Sequence, residues 1–405
     1  MTREANAEIP RARGQLAALS VAMILGMTPW FSATVAAPGM IREWGAGEAT
    51  SAWLTIAVQL GFVLGTFVSA ALLLSDRWSA RKLAAGSAVI AALGTVLLAA
   101  PSVGLTEAML LRIATGAALA GVYPPGIKLA AGWWRAQRGT AIGILVGALT
   151  VGSAAPLLLR LTVTASSWRG VVVAAGVAAF FSAALFWFVV REGPFQAASA
   201  PFDPSALAMV LRDRGVMLAT GGYLGHMWEL YAMWSSIGGF WTFAAVGKGM
   251  GARWAALLAF LTVAAGTVGC VVAGVVADRV GRPRVTIIAM MISASCALVI
   301  GLLLSAHIVI LAFVALVWGA SIVADSAQFS ASVTELAPSR YVGTAITLQT
   351  CAGFLLTIVT IRLVPIWVEW WGWERAYMPL AIGPLLGVVA MWRLSRDPRA
   401  RVARA

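Results

Sequence analysis

The segment LLSDRWSARK at 73–82 has a second copy, VADRVGRPR at 276–284. The aspartates of the two copies, Asp76 and Asp278, lie half a chain length apart in a sequence of 405 residues. Each copy is a short charged break between two long apolar runs. A charged turn that is repeated at half the chain length predicts that the chain contains two copies of one membrane-embedded unit.

The composition is that of a membrane protein. Hydrophobic residues make up 60% of the chain and charged residues 11%, which excludes an ordinary soluble domain. Twelve apolar segments can be drawn, and a helix of roughly 20 residues is enough to cross the hydrocarbon core of a bilayer. The segments are continuous rather than alternating, which excludes a membrane barrel. We therefore predict an all-α protein of twelve transmembrane helices.

The longest polar stretch divides the apolar segments into two groups of six. We predict an N-terminal six-helix bundle at 1–190, a cytoplasmic linker at 191–215 and a C-terminal six-helix bundle at 216–405. Most of the 29 lysine and arginine residues fall on the side that carries both termini, which predicts that both termini are cytoplasmic. This placement assigns the net charge of +13 to the bilayer surface, so no nucleic-acid partner is expected. Arginine greatly outnumbers lysine, which is typical of GC-rich bacteria and favours a bacterial inner membrane.

The second charged loop follows the pattern G-x-x-x-D-R-x-G-R. Its members are Gly274, Asp278, Arg279, Gly281 and Arg282. This loop, between spans eight and nine, resembles a loop of the major facilitator superfamily of transporters, which also occurs between spans two and three. The resemblance implies two pseudo-symmetric six-helix halves that carry a small solute by alternating access.

The first copy of the loop is incomplete. It keeps Asp76, Arg77 and Arg81, but Ser79 and Ala80 stand where the second copy has one glycine. Aspartates at helix ends can face the N-terminus of a neighbouring helix, and arginines can reach carboxylates or carbonyls across the gap between the halves. We predict that both loops act as conformational latches, whose contacts are made in one state and broken in the other. The alternative is a solvated charged turn.

Span four carries two basic residues. Arg112, with Gly116, resembles the R-x-x-x-G element of the superfamily in this helix. An arginine in hydrocarbon is costly unless it faces a wet cavity or a partner, so we predict a cavity position; it could instead extend to the membrane interface. Lys128 could contact substrate or extend toward the cytoplasm. Trp30, next to Pro29 in span one, is a candidate cavity aromatic or a packing residue.

Span seven reads GGYLGHMWELYAMWSS and contains ionisable groups at mid-membrane depth. His226 and Glu229 are three residues apart, so they share a helix face. Ionisable groups at this depth mark substrate or proton pathways, and histidine changes its charge near neutral pH. We predict that this pair exchanges protons, beside the aromatic ring of Tyr223. The alternative is a structural hydrogen bond between the two side chains.

Span ten contributes Asp325 and Gln328 to the same predicted pathway. Asp325 could pair with Arg112 or Lys128 across a central cavity, serve as a second proton site, or anchor span ten to a neighbouring helix. Helices one, four, seven and ten are expected to line the cavity.

These residues predict a proton-coupled secondary transporter of a small solute, and an organic or inorganic anion is one candidate. The chain also loosely resembles the anion and cyanate-type porters of the superfamily. The alternatives are a drug or toxic-compound efflux antiporter and, from another class, a non-transporting membrane receptor with a transporter fold. The chain contains no phosphate-binding Walker loop, no metal-ligand spacing and no nucleophile–base pattern. We expect a monomer in the lipid bilayer, no cofactor and no enzymatic activity.

Overall fold

The computed structural model describes residues 3–47, 49–134, 138–162, 167–195, 203–338 and 341–399. Within these ranges the protein is helical and has no strand. Ten helical segments are long and apolar enough to cross a membrane. A further long helix, Arg214–Gly247, and a shorter apolar one, Met378–Leu394, bring the number to the twelve that the sequence predicts.

The first six helices are α1 (Arg3–Met27 and Pro29–Trp44), α2 (Ala49–Ala71), α3 (Ala80–Leu97), α4 (Leu105–Leu119 and Tyr123–Ala131), α5 (Arg138–Thr162) and α6 (Trp168–Ala184, then a π turn at Leu185–Val189). The last six are α7 (Arg214–Gly247), α8 (Ala252–Ala264 and Gly266–Val280), α9 (Arg282–Val299), α10 (Ile308–Ala324 and Ser326–Leu336), α11 (Val342–Arg375) and α12 (Met378–Leu394). A short helix, Leu207–Arg212, precedes α7 in the predicted linker.

Two breaks within the helices lie beside the predicted site residues. In α1 the break falls at Thr28, and Pro29 opens the second segment, because proline has no N–H to continue the ladder of the preceding turn. In α10 the break falls at Asp325, without a proline. Carbonyl groups near such breaks can bind side chains that an unbroken helix would not accommodate.

Close glycine contacts hold the helices of each half together. In the first half, a side chain at Gly116 of α4 would overlap the backbone carbonyl of Val58 in α2. In the second half, a side chain at Gly319 of α10 would overlap the carbonyl of Thr262 in α8. The two contacts join the second and fourth helices of their respective halves, which is the pseudo-symmetry that the repeated loop predicts.

The two halves meet along α5 with α8 and along α2 with α11. A β-carbon built at Gly143 of α5 would lie 2.8 Å from the carbonyl oxygen of Cys270 in α8. One turn further along, Thr267 donates a hydrogen bond of 2.9 Å to the carbonyl of Gly147. Small residues at four-residue spacing therefore let α5 approach the opposite half closely.

Candidate functional site

An aromatic cluster joins the two halves at the break in α1. The ring of Trp30 lies 4.9 Å from Phe62 of α2, 5.7 Å from Tyr231 of α7 and 5.9 Å from Phe354 of α11, centroid to centroid. Phe62 and Phe354 are themselves 4.4 Å apart. Trp30 is buried. The structure therefore places Trp30 against the second half.

Phe31 and Trp234 extend the cluster, with their rings 6.1 Å apart. We define the central aromatic cluster as Trp30, Phe31, Phe62, Tyr231, Trp234 and Phe354. The sequence interpretation missed Phe31, Phe62 and Phe354, because aromatic residues in apolar spans look like ordinary packing. It also assigned the site to helices one, four, seven and ten, whereas α2 and α11 supply part of its wall.

Several buried polar atoms on the helices of this cluster have no hydrogen-bond partner in the described part of the chain. Within the cluster they are Nε1 of Trp30 and Nε1 of Trp234, and elsewhere on the same helices they include Nε2 and Oε1 of Gln59, Oγ1 of Thr66 and Nε2 of Gln349. Gln59 precedes Phe62 by three residues on α2, so the two side chains share a helix face. Buried polar groups are nearly always hydrogen-bonded in folded proteins, so unpaired ones mark places that water or another molecule can fill.

Arg112 is fully buried at the break in α1. Its Nη1 donates a hydrogen bond of 2.8 Å to the carbonyl of Pro29, its Nη2 donates to the carbonyl of Trp30, and its Nε lies 3.3 Å from the carbonyl of Leu54. No acidic side chain of the described residues forms an ion pair with it. The suggested pairing of Arg112 with Asp325 is therefore wrong for this structure, because backbone carbonyls occupy the guanidinium.

Asp325 contacts His226 instead. Its Oδ1 lies 2.8 Å from Nδ1 of His226, and both side chains are at most 2% exposed. The two groups thus form a close electrostatic contact. The other imidazole nitrogen, Nε2, has no partner among the described residues. Phe329 and Tyr223 cover the imidazole, with ring centroids 5.6 and 6.1 Å away.

Glu229 is buried on the same face of α7, but it binds different groups. Trp318 Nε1 of α10 donates a hydrogen bond of 2.6 Å to its Oε1, and Ser293 Oγ of α9 donates one of 2.9 Å to its Oε2. The alternative of a hydrogen bond between His226 and Glu229 is thus not what the structure shows. The second half instead holds two separate buried carboxyl sites, one of them beside a histidine.

Gln328 is buried, and its side chain binds an arginine of the second charged loop. Arg282 Nη1 donates a hydrogen bond of 2.8 Å to its side-chain oxygen, and Arg282 Nε donates one of 2.8 Å to Glu335. These bonds join the start of α9 to the second segment of α10. Lys128 lies half-buried in the second segment of α4.

The second charged loop reaches the opposite half. A β-carbon built at Gly139, at the start of α5, would lie 2.9 Å from a carboxylate oxygen of Asp278. A β-carbon at Gly274 would lie 3.0 Å from the carbonyl oxygen of Gly139. The Asp278 carboxylate thus sits at the N-terminus of α5, where free N–H groups favour negative charge. Gly281 adopts a φ of +89°, which only glycine adopts readily.

The first charged loop makes a different contact. Arg81 donates a hydrogen bond of 2.7 Å to the carbonyl of Trp187, which belongs to the same half. Arg77 is exposed, and the side chain of Asp76 lies outside the described residues.

Comparison with known proteins agrees with this architecture. Residues 19–359 match the family model of the Major Facilitator Superfamily. No curated protein matches the chain in sequence. Among solved structures, the proton:xylose symporter XylE bound to 6-bromo-6-deoxy-D-glucose is similar, with a TM-score of 0.72 at 13% identity over 94% of this chain and 95% of that one. A mutant of the nucleoside transporter NupG has a TM-score of 0.68 at 14% identity over 94% of this chain and 99% of that one.

These two likenesses establish the fold, and the match to the family model covers most of the sequence. The protein is a multi-pass helical membrane protein, and this chain belongs to the major facilitator superfamily of transporters.

Proposed function

We propose that the protein is a proton-coupled secondary transporter that carries a small anion across the bacterial inner membrane, with both termini in the cytoplasm. The observation that carries the proton coupling is the contact between His226 and Asp325, with Glu229 on the same face of α7. Ionisable groups are rare within membrane-spanning helices because they are costly there, and they mark ion and proton pathways. The fold neighbour XylE is itself named as a proton symporter.

The position of Asp325 connects protonation to movement. It lies at the break in α10, between two helical segments, and contacts a histidine of α7. Protonation of the carboxyl group removes its negative charge, so the attraction between the two helices weakens. A contact that is strong in one protonation state and weak in the other shifts the balance between two conformations.

The charged loops supply the second element of the proposal. Asp278 sits at the start of α5 of the opposite half, on the predicted cytoplasmic side. This contact must break when the halves separate on that side, so it favours the state that is closed to the cytoplasm. We assign the latch role to Asp278, in the loop that also carries Arg279, and a bracing role within their own halves to Arg282 and Arg81.

The proposal is tested in proteoliposomes with an imposed pH gradient. Radiolabelled benzoate, D-xylose and uridine serve as an anionic and two uncharged probes. We expect gradient-driven flux of the anion in the wild type, and flux that no longer responds to the gradient in Asp325→Asn. Glu107→Gln removes an exposed carboxylate at the start of α4 and is the matched control, with flux like that of the wild type. Flux of Asp325→Asn that follows the gradient as in the wild type would overturn the proton assignment.

The same assay separates the alternatives. Movement of the probe in the direction opposite to the proton flow would indicate an efflux antiporter. Absence of any carrier-mediated exchange, in a preparation that is folded and monodisperse, would indicate the receptor alternative. Transport of the uncharged probes alone would overturn the anion assignment while leaving proton coupling in place.

A further inference from the structure

The central aromatic cluster lies beside an uncompensated positive charge. Arg112 donates to the backbone carbonyl of Trp30, the residue whose ring heads the cluster. Its guanidinium carries five N–H groups, and three bonds to carbonyls are present. Carbonyl dipoles solvate a cation, but they do not cancel its charge. A buried charge is normally paired with an opposite one, and no described acidic residue supplies that pair.

The unpaired polar atoms beside the cluster are mainly donors. The indole N–H groups of Trp30 and Trp234 can only donate, and the amide nitrogens of Gln59 and Gln349 are donors too. The side-chain oxygen of Gln59 can accept, and the hydroxyl of Thr66 can donate or accept. A surplus of donors next to a cation matches a ligand group that accepts several hydrogen bonds and carries negative charge. A carboxylate has both properties, and arginine binds it through two parallel bonds.

The walls of the site are flat and apolar. The rings of Phe62, Tyr231 and Phe354 surround the indole of Trp30, with centroids 4.9 to 5.9 Å from it. The ring of Phe354 also lies 4.4 and 5.1 Å from the other two rings. Aromatic rings favour offset or edge contacts with one another over a face-to-face sandwich. In this structure the rings pack against one another, so a ring-bearing ligand can replace one of these ring contacts, whereas a small, strongly hydrated anion cannot.

We propose that the central aromatic cluster binds a monocarboxylate with a planar ring, whose carboxylate is held by Arg112 and the indole N–H groups and whose ring packs against Trp30, in place of one of the ring contacts that Trp30 makes in this structure. This assignment deepens the proposed function, because it names the class of anion, and it rests on that function for the claim that the ligand is cargo. Arg112 has N–H groups beyond those that bind the carbonyls of α1, so it can take the carboxylate while the break in α1 persists.

Binding is measured on the detergent-solubilised protein without a pH gradient. Benzoate, phenylacetate and nicotinate are compared with benzamide, phenylacetamide and nicotinamide, which have the same rings without the charge, and with acetate, which has the charge without the ring. We expect at least one ring carboxylate to raise the melting temperature and to bind at least tenfold more tightly than its amide. A charge-assisted bond contributes about tenfold or more in affinity.

Variants test the named residues. Trp30→Phe keeps a ring and removes one N–H, and we expect it to weaken binding of the stabilising carboxylate about tenfold. Trp44→Phe, the same substitution near the end of α1, is the control and should bind as the wild type does. Gln59→Leu should weaken binding to a similar extent. Arg112→Gln should abolish it, and because this substitution can also impair folding, the two milder variants carry the test.

Three results would overturn the proposal. They are stabilisation by none of the ring carboxylates, equal binding of a carboxylate and its amide, and binding of acetate as tight as that of benzoate. Because this assay uses no gradient, it separates the two claims. Binding without gradient-driven flux would contradict the proton coupling alone, and gradient-driven flux of uncharged probes without carboxylate binding would contradict the ligand class alone.

Discussion

Glu229→Gln distinguishes a proton carrier from a structural carboxylate. The substitution keeps the shape of the side chain, but a glutamine cannot take up and release a proton. The carboxylate accepts hydrogen bonds from Trp318 at 2.6 Å and from Ser293 at 2.9 Å. Glutamine has one oxygen, which can keep the bond from the indole, since an indole can only donate. The hydroxyl of Ser293 can turn to the carbonyl of Met290, which lies 3.2 Å away.

The expected structural cost of this substitution is therefore small. One charge-assisted bond is exchanged for weaker ones, which costs about 1 kcal/mol in the free energy of unfolding. For a protein of this size the melting temperature should fall by about 2 °C or less. The functional effect should be far larger. Each unit of pH gradient is worth about 1.4 kcal/mol, so coupling to one proton supports about tenfold accumulation per unit.

The measurement compares wild type and Glu229→Gln in proteoliposomes with a gradient of about two pH units. We expect about 100-fold accumulation of the cargo in the wild type and none in the variant. Exchange of labelled for unlabelled cargo without a gradient should continue in the variant. Accumulation in the variant equal to that in the wild type would refute the reasoning, and so would a variant that unfolds many degrees lower and has lost exchange as well.

Three further predictions concern the latch, the linker and helix packing. Cys270 is buried where α8 meets α5. Asp278→Asn should increase maleimide labelling of this cysteine, because the predicted cytoplasmic side opens more often without the latch. Unchanged labelling would argue against the latch. Hydrogen bonds from Arg399 hold the pKa of Asp213 below its usual range. The ion pair therefore stabilises the folded protein at neutral pH, and this contribution is lost as the pH falls through the lowered pKa. Asp213→Asn should accordingly lower the melting temperature at pH 7 and have less effect near pH 3. Gly319→Ala should destabilise the protein by about 1–3 kcal/mol, because the added methyl group meets a backbone carbonyl of α8. Gly86 faces open space, so Gly86→Ala should be neutral or stabilising. Thermal melts of the two variants check this prediction.

The fold was predictable because charged residues in a membrane protein are largely confined to the loops between its spans. A cluster such as the one around Asp278 cannot lie in hydrocarbon, so it must mark a loop, and its repetition around Asp76 fixes the two-fold architecture. The family model and the twelve helices confirm that prediction. The motif also predicted that the Asp278 carboxylate faces a helix N-terminus. Gly274 of that loop and Gly139 in the first turn of α5 have no side chains, so α8 and α5 can approach each other closely.

The pairing of buried charges was not predictable in the same way. From the sequence, Asp325 had two cations as candidate partners, and no pattern chose between them. The structure pairs it with His226, because Arg112 is already bound to carbonyls at the break in α1. A break at Pro29 was visible in the sequence, but which distant side chain would reach its carbonyls depends on how α4 packs against α1 and α2.

Uncharged polar residues were the other signal that the sequence interpretation underused. Gln59 is the one amide side chain in span two, and Gln349 is the one in span eleven. A glutamine in hydrocarbon carries a cost similar in kind to that of a charge, because its amide must find partners. Had these amides been weighed like the ionisable groups, α2 and α11 would have been assigned to the site. The aromatic residues near them offered no such signal, since packing explains an isolated ring equally well.

The distribution of charge between the halves gives a reason for tight coupling. The first half buries the cation Arg112, and the second half buries Asp325 and Glu229. On the proposed assignment, a carboxylate ligand compensates the arginine, and a proton neutralises an acid of the second half. A carrier that has bound only one of the two keeps an uncompensated charge in its core, and moving such a charge past hydrocarbon is costly. The fully loaded carrier should therefore change state faster than either partly loaded form, so that cargo and proton cross together.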